Sequence, residues 1–433
     1  MANEVEREPR NLKYEPRRFR FNGALIALTI CTTAAFVLFL VFESLRWRYL
    51  AASLPIAAAP WAVRRAFRVS LIVTDDRVVV KNYWWTHTFP WSEVEGVGIA
   101  LKQQGVLPQP ALAFKLRNGE PVFASGASWF QNPVGCGLAA GADHQTVGGG
   151  AFAPGLSGTG YPDSVYYCAQ AIATAQCSLS INGGVSFNPA VPIYTALQCG
   201  GLHGHIKAAP DGTVYVPNAD CGGKAAVVVS TDNGTTWNVR SVPGSTTQDE
   251  SDPSVGVGSS GTVYLGWQNG NGHPYVAVSH DRGATWTNAQ DVGTGFNLQN
   301  VQFPAVVAGD DDRAAYAFLG TPTSGDDQKS TFAGAWHLYV ATTFDGGVTW
   351  TRVDVTPSDP VQRGCIWMAG GSNKCRNLLD FMDATVDKTG HVLVGYADGC
   401  IGTCVTSGPN SYSAVATIAR QTGGTGLFAA FGG

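Results

Sequence analysis

Acidic and histidine side chains recur directly before apolar segments in the C-terminal two-thirds of this chain. The set is Asp143, His144, His203, His205, Glu250, Asp252 and Asp383. Two carboxylates that face each other with an imidazole nearby can act as general acid and base, which is the chemistry that cleaves a glycosidic bond. Polar groups buried around a common axis can equally bind water and one another. The residue types leave both interpretations open.

These side chains meet only if the segments that carry them converge, and a repeat indicates that they do. The pattern Ser/Thr-x-Asp-x-Gly-x-Thr-Trp begins at Ser230, Ser279 and Thr343, and a weaker copy with Asn and Phe in place of Asp and Trp begins at Ser180. The copies start about fifty residues apart except for one insertion, and a period of this size is typical of propellers and solenoids.

The repeat predicts a β-hairpin. Each of the three stronger copies follows an apolar strand, and the Gly at its fixed place supplies the positive φ that a tight turn requires. The Asp can accept hydrogen bonds from turn amides, and the aromatic residue begins the return strand. We expect this aromatic side chain to pack between neighbouring sheets.

These residues resemble the Asp-box, or bacterial neuraminidase repeat, of sialidase-like β-propellers. The resemblance implies a mainly β fold, with the Asp-box residues holding turns on the rim, away from any ligand. Ligands then bind at the mouth of the central channel, where the innermost strands begin. Five blade-like units are legible where six are normal for the family. The ring either closes with fewer blades or lacks its first, and we favour the second interpretation.

The same resemblance implies three arginines that clamp a sialic acid carboxylate, a Tyr nucleophile assisted by a Glu, and an Asp acid/base. The chain has no Arg-Ile-Pro motif, and Arg363 and Arg376 are the arginines placed to reach the channel. Glu250 is the sole Glu after residue 120, so it is the partner for a Tyr such as Tyr396. We expect acid and base among Asp143, Glu250, Asp252 and Asp383. Substrate contacts are expected from His144, His203, His205, Arg363 and Arg376.

The N-terminal part has a different character. Residues 1–130 carry 16 Lys/Arg against 10 Asp/Glu, and the remainder carries 12 against 22. The acidic remainder argues against binding to nucleic acid. A basic tail at 1–20 precedes a predicted transmembrane hairpin at 21–68, in which the uncharged run 24–42 is long enough to span a bilayer and the run 49–63 is a weaker span.

Residues 69–130 predict short alternating strands. The stretch Pro90–Val97, PWSEVEGV, carries most of a resemblance to the bacterial PH-like domain named after a low-molecular-weight protein antigen. The resemblance implies a small β domain at the membrane surface. The remainder, 131–433, is the predicted propeller.

The cysteines favour an oxidising compartment. Nine of the ten lie in the propeller part, and neighbours suggest the pairs Cys168–Cys177, Cys199–Cys221, Cys365–Cys375 and Cys400–Cys404. A two-span anchor would instead leave the propeller in the cytoplasm by the positive-inside rule. We give the cysteines more weight and expect a membrane protein with an extracytoplasmic propeller.

No metal or organic cofactor is expected, because Cys400 and Cys404 lack a second pair at zinc-site spacing. The sequence therefore predicts a membrane-anchored, sialidase-like propeller that hydrolyses an extracellular glycan. The alternative is a noncatalytic propeller that binds a glycan or another cell-surface ligand, or an inactive fusion.

Overall fold

The computed structural model of the chain describes residues 12–14, 70–73, 76–81, 86–104, 107–117, 121–123, 143–170, 174–200, 203–248, 251–380 and 382–431. The contacts divide the chain into two units, Met1–Gln131 and Asn132–Gly433. Regular structure in the described residues is nearly all β, with a single short α-helix, α1, at Thr403–Thr406. None of the helices in that part of the chain has the length and apolar character needed to cross a membrane. The predicted spans at 24–42 and 49–63 lie outside the described residues.

The first unit contains two small antiparallel sheets. One has the strand order β1 (Leu12–Tyr14), β2 (Ser70–Val73), β3 (Arg77–Lys81) and β4 (Thr86–Pro90). A 3-10 turn at Trp91–Glu93 leads to the other, which consists of β5 (Val94–Gln104), β6 (Leu107–Leu116) and β7 (Pro121–Phe123). The buried core of this unit contains residues of both sheets, namely Val78, Val80, Phe89 and Leu116.

Strand β1 was not expected, because the sequence predicts a polar tail at this place. Leu12 pairs with Val73 and Tyr14 with Leu71 in an antiparallel ladder. Residues 12 and 73 therefore lie on the same side of any membrane that the chain between them would cross.

The second unit is a series of antiparallel sheets that follow one another along the chain, here called blades 1 to 5. Blade 1 consists of β8 (Asp143–Gly150), β9 (Ser164–Gln170), β10 (Ala175–Ser180) and β11 (Val191–Pro192). Blade 2 consists of β12 (Lys207–Ala208), β13 (Val214–Asn218), β14 (Ala226–Ser230) and β15 (Asn238–Ser241). Blade 3 consists of β16 (Ser254–Val257), β17 (Val263–Gln268), β18 (Pro274–Ser279) and β19 (Thr287–Asp291).

Blade 4 consists of β20 (Asn300–Ala308), β21 (Ala314–Thr321), β22 (Ala335–Thr343) and β23 (Thr351–Asp354), with β24 (Gln362–Arg363) also paired to β22. Blade 5 has three strands, β25 (Asp383–Val386), β26 (Val392–Asp398) and β27 (Val415–Arg420). The five sheets correspond to the five units that the turns of the sequence predict.

The innermost strands of all five blades line one cavity of about 350 Å³, which is the central channel. These strands are β8, β12, β16, β20 and β25, and each contacts the next one in this order. Their close approach restricts side-chain size, since a Cβ on Gly148 would lie 2.6 Å from the carbonyl oxygen of Ile206 in the next blade. Sheets arranged in this way around a channel form the layout of a β-propeller.

The Asp-box copies form the predicted hairpins. In the copy at Ser279, Asp281 Oδ1 accepts a hydrogen bond from the Thr285 amide at 2.8 Å, and Oδ2 accepts one from the Thr285 hydroxyl at 2.7 Å. Gly283 has φ 81°, and its amide donates to the Ser279 hydroxyl at 2.7 Å. These bonds use both carboxylate oxygens inside the turn, so the structure assigns the Asp a structural role.

The aromatic residue of the repeat packs against the preceding blade, as predicted. Trp350 of blade 4 is only 6% exposed, and it meets Tyr264 of blade 3 edge-on with the ring centroids 6.5 Å apart. Its indole N–H also donates to the carbonyl of Gly347 at 3.2 Å. The repeat therefore fastens each blade to its neighbour while it closes its own turn.

Blade 5 has no Asp-box, and the C-terminal segment packs against blade 4. The amide of Asp310 donates to the Leu427 carbonyl at 2.9 Å, and Arg313 Nη1 donates to the Gly426 carbonyl at 2.9 Å. Leu427 is completely buried. The chain thus fixes its last blade without a fourth strand.

All four predicted disulfide pairs are formed. Cys168–Cys177 and Cys199–Cys221 lie in blades 1 and 2, where they join the buried core of these blades. Cys365–Cys375 and Cys400–Cys404 brace the long loops of the C-terminal part. Cys136, the ninth cysteine of the propeller part and the one left without a partner by these four pairs, lies outside the described residues.

Candidate functional site

Three of the predicted residues occupy the same position on successive blades. In each of blades 1, 2 and 3, the channel lining begins at one residue, which is Val147, Ile206 or Val255. The predicted residue lies three positions earlier in the chain and is His144, His203 or Asp252, respectively. Because the blades are arranged around the channel, residues more than a hundred positions apart in the chain become neighbours at its mouth.

His144 and Asp252 form the closest pair at this mouth. Nδ1 of His144 is 3.1 Å from Oδ2 of Asp252, and the two side chains are only 13% and 11% exposed. A bulge between Asp143 and Thr146 interrupts the pairing of β8 with β9, and His144 adopts φ 51° within it. This local distortion gives His144 the backbone conformation in which its ring meets the carboxylate.

His203 lies beside this pair and is 1% exposed. Its ring meets that of His144 edge-on, with the centroids 6.0 Å apart. Burial lowers the pKa of His203, although its hydrogen bond to the Gly204 carbonyl and the charge of Asp252 oppose the change. The neutral ring therefore donates from Nδ1 to Gly204, 3.2 Å away, and presents Nε2 as an acceptor. No described residue donates to this Nε2.

A second group lies across the channel. Nδ1 of His205 and Nζ of Lys207 in blade 2 are each 4.0 Å from a different oxygen of Asp383 in blade 5. Burial lowers the pKa of His205, and the charges of Asp383 and Asp252 oppose this change. His205 is therefore close enough to both carboxylates to respond to each.

A buried hydrogen-bonded chain stands behind Asp252. Oδ2 of Asp327 accepts from the Gln302 amide at 3.0 Å, and the Gln302 carbonyl oxygen accepts from the Ser251 hydroxyl. The Ser251 oxygen in turn accepts from the Phe303 amide at 3.0 Å. The side chains of Asp327, Gln302 and Ser251 are at most 3% exposed. No local pattern in the sequence predicts the contact between Gln302 and Asp327, because 25 residues separate the two.

The two candidate arginines have structural partners. Arg363 donates from Nε to the Cys404 carbonyl at 2.7 Å and from Nη2 to the Val405 carbonyl at 3.1 Å, so it holds helix α1. Arg376 forms a bidentate pair with Asp380, at 2.6 and 2.8 Å, and donates to the Met368 carbonyl. Among the described residues, no ion pair joins either arginine to Asp252 or Asp383.

The remaining candidates fall elsewhere. Glu250 lies outside the described residues. Asp143 begins β8, where its backbone pairs with Gln170. Tyr396 packs against the core of blades 4 and 5, and burial, followed by the charges of Asp398 and Asp359, raises its pKa. Within the described ranges, no three His, Cys, Asp or Glu side chains are grouped so as to hold a metal ion.

Comparisons with known proteins give weak similarities. No family model matches the chain, and no curated protein matches it. Among solved structures, the NanB sialidase from Streptococcus pneumoniae is 14% identical with a TM-score of 0.34, over 57% of this chain and 35% of that one. A protein of unknown function from Dyadobacter fermentans is 14% identical with a TM-score of 0.36, over 78% of this chain and 89% of that one.

An α-L-arabinofuranosidase from Fusarium graminearum is 9% identical with a TM-score of 0.35, over 64% of this chain and 92% of that one. The chain thus spans about a third of the length of the NanB structure. Similarities at this level do not indicate which ligand the chain binds.

Proposed function

We propose that the second unit is a sialidase-like propeller that binds a glycan at the channel mouth and hydrolyses it with Asp252 and Asp383 as its carboxylate pair. The observation that supports this most is the convergence of His144, His205 and these two carboxylates from blades 1, 2, 3 and 5. Hydrolysis of a glycoside needs one carboxyl group to protonate the leaving oxygen and another to activate water or attack the sugar.

The surroundings of the two carboxylates differ in the way that such a division of work requires. Asp252 is 11% exposed and held by His144, whereas the Asp383 side chain is 59% exposed. His203 is buried beside this pair, so its proposed role is to support the ring of His144 rather than to contact the glycan.

The proposed substrate is a neutral glycan rather than a sialic acid. A sialic acid carboxylate is best held by guanidinium groups in bidentate pairs. Arg363 and Arg376 already donate to backbone carbonyls and to Asp380, so they are not available for such a clamp without breaking these bonds.

A panel of neutral fluorogenic glycosides tests the enzyme proposal on the purified full chain. We expect turnover of at least one glycoside and a loss of about a hundredfold or more in Asp252→Asn and in Asp383→Asn. Asp326→Asn is the matched control, because Asp326 is an exposed carboxylate paired with Lys329. Equal activity in all three variants would contradict the assignment.

A noncatalytic glycan receptor is the second candidate, and the long contacts between Asp383 and its cationic neighbours favour it. Both contacts of Asp383 with cationic side chains are at 4.0 Å, which is long for a preorganised catalytic group. Binding of a glycoside with no turnover in the same panel would decide for this candidate.

We further propose that the first unit is a PH-like module next to a membrane hairpin and that the propeller is extracytoplasmic. The four disulfides support an oxidising compartment for the propeller. In this arrangement the β1–β2 pairing puts the basic tail on the same side as the propeller, so here we give the disulfides more weight than the positive-inside rule. Labelling of cysteines on intact cells with an impermeant maleimide, before and after reduction, tests this. More label after reduction than before it is expected, because eight of the propeller cysteines are paired, and no label until the cells are lysed would contradict it.

A further inference from the structure

A second cavity lies between blades 1 and 2, away from the central channel, and has a volume of about 440 Å³. This size falls in the range of small-molecule sites, roughly 300 to 1,000 Å³. One wall is the outer part of blade 1 and the other is the Asp-box turn of blade 2; the lining includes Leu156, Leu179, Pro189, Val191, Asp232 and Gly234.

The sheet registers explain why the cavity is there. In blades 1 to 4, one residue of the outermost strand pairs with the strand residue that lies three positions before the Asp-box. This outer-strand residue is Val191 in blade 1, Arg240 in blade 2, Gln290 in blade 3 and Val353 in blade 4. It stands where the blade meets the Asp-box turn of the next one.

Long polar side chains at this position close the gap between blades. Gln290 donates to the carbonyl of Gly347 at 2.7 Å, and its neighbour Asn288 donates to that of Gly346 at 3.2 Å. Arg240 lies against the next Asp-box turn, since a Cβ on Gly283 would be 3.2 Å from the Arg240 Cβ.

Valine at the same position leaves the gap open. Val191 lines the cavity between blades 1 and 2, and Val353 lines another of about 480 Å³ between blades 4 and 5. Pro189 replaces Asn288 at the equivalent distance from the aromatic residue of the repeat. Neither Pro189 nor Val191 can donate to the carbonyls of Asn233 and Gly234, which correspond to those of Gly346 and Gly347.

Among the described residues, the Gly234 carbonyl accepts only from the Trp237 indole N–H, at 3.1 Å, whereas the Gly347 carbonyl accepts from both Trp350 and Gln290. A ligand that fills the cavity can supply the second donor to Gly234 and a donor to the Asn233 carbonyl. The carboxylate of Asp232 on the same wall disfavours an anion, while Leu156, Leu179 and Pro189 offer apolar surface. We propose that this cavity binds one neutral sugar ring, whose hydroxyl groups donate to the turn carbonyls and whose C–H face packs on the apolar wall. The site is separate from the channel mouth and does not depend on hydrolysis there.

Saturation-transfer NMR with the full chain tests the proposal, using methyl glycosides of glucose, galactose, mannose and N-acetylglucosamine, with free sialic acid as the anionic probe. Val191→Gln introduces in blade 1 the side chain that Gln290 provides in blade 3, where it closes the gap to blade 4. We expect it to weaken binding of a neutral glycoside by about tenfold or more, without lowering the melting temperature. Both proteins, with and without Val191→Gln, also carry Asp252→Asn, because that change is expected to weaken binding at the channel mouth and leaves the cavity between blades 1 and 2 as the remaining site.

Two results would overturn the proposal: the absence of binding by every neutral glycoside, and unchanged binding in Val191→Gln. Because both proteins carry Asp252→Asn, either result leaves the proposed channel-mouth function intact.

Discussion

At the scale of single residues, the structure separates carboxylates that hold turns from those that face the channel. Asp232, Asp281 and Asp345 each accept several hydrogen bonds from residues of their own turn. Their role could be predicted because every partner lies within four residues in the sequence. The pairing of His144 with Asp252 spans 108 residues, so spacing alone could suggest the candidates but not the contact.

The acid stability of the third hairpin depends on Asp281. Hydrogen bonds from the Thr285 amide and then its hydroxyl lower the pKa of Asp281 to about 2. A depressed carboxylate pKa stabilises the fold above the unfolded value of about 4, and this stabilisation is lost as the pH falls toward 2. We expect Asp281→Asn to fold at pH 7, because Asn182 occupies the same position in the copy that begins at Ser180 and accepts the equivalent turn hydrogen bond. Between pH 4 and pH 2, the melting temperature of this variant should fall less than that of the parent. Identical profiles for variant and parent would refute the assignment.

The buried chain behind Asp252 gives a second prediction at this scale. Gln302→Leu keeps the volume but leaves the Ser251 hydroxyl and Asp327 without the Gln302 side chain, at a cost of about 1–3 kcal/mol in the free energy of unfolding. Urea unfolding measures this cost, and Ser324→Ala, an exposed change in the loop before Asp327, is the control. Equal unfolding free energies of the two variants would show that the hydrogen bonds of Gln302 do not stabilise the fold behind Asp252.

At the scale of elements, apolar strands before each Asp-box and the turns between inner strands were predictable, because hairpins are local. The apolar strands expected before the copies at Ser279 and Thr343 are Pro274–Ser279 and Ala335–Thr343. Strand β1 and the use of Arg363 to hold α1 were not predictable. Both depend on partners 41 or more residues away, which no local pattern specifies.

The packing of the repeat's aromatic residue leads to a prediction for blade cohesion. Trp350→Ala removes a buried side chain from between blades 3 and 4 and should cost about 3–5 kcal/mol of unfolding free energy. Phe187 is the matched comparison, because it is the corresponding residue of the degenerate copy and is only half-buried. Phe187→Ala should cost less, and denaturant unfolding of both variants decides. A larger loss in Phe187→Ala would contradict the account of how blades are joined.

At the scale of the whole molecule, the arrangement of blades around one channel creates the candidate site. Residues from blades 1, 2, 3 and 5 meet at the mouth, although the residues that contact each other there are far apart in the sequence. The repeat period predicted the blades. The composition of the mouth followed only once their innermost strands were placed around the channel.

The most direct test of the central claim is glycan binding at the channel mouth, measured by isothermal titration of the full chain with the best ligand from a glycan array. Loss of the carboxylate in Asp252→Asn, or of its partner in His144→Ala, is expected to weaken binding about ten- to a hundredfold, the effect of a lost charged hydrogen bond. Asp326→Asn is expected to bind as the parent does. Unchanged affinity in both channel-mouth variants would contradict the claim that this site recognises the glycan.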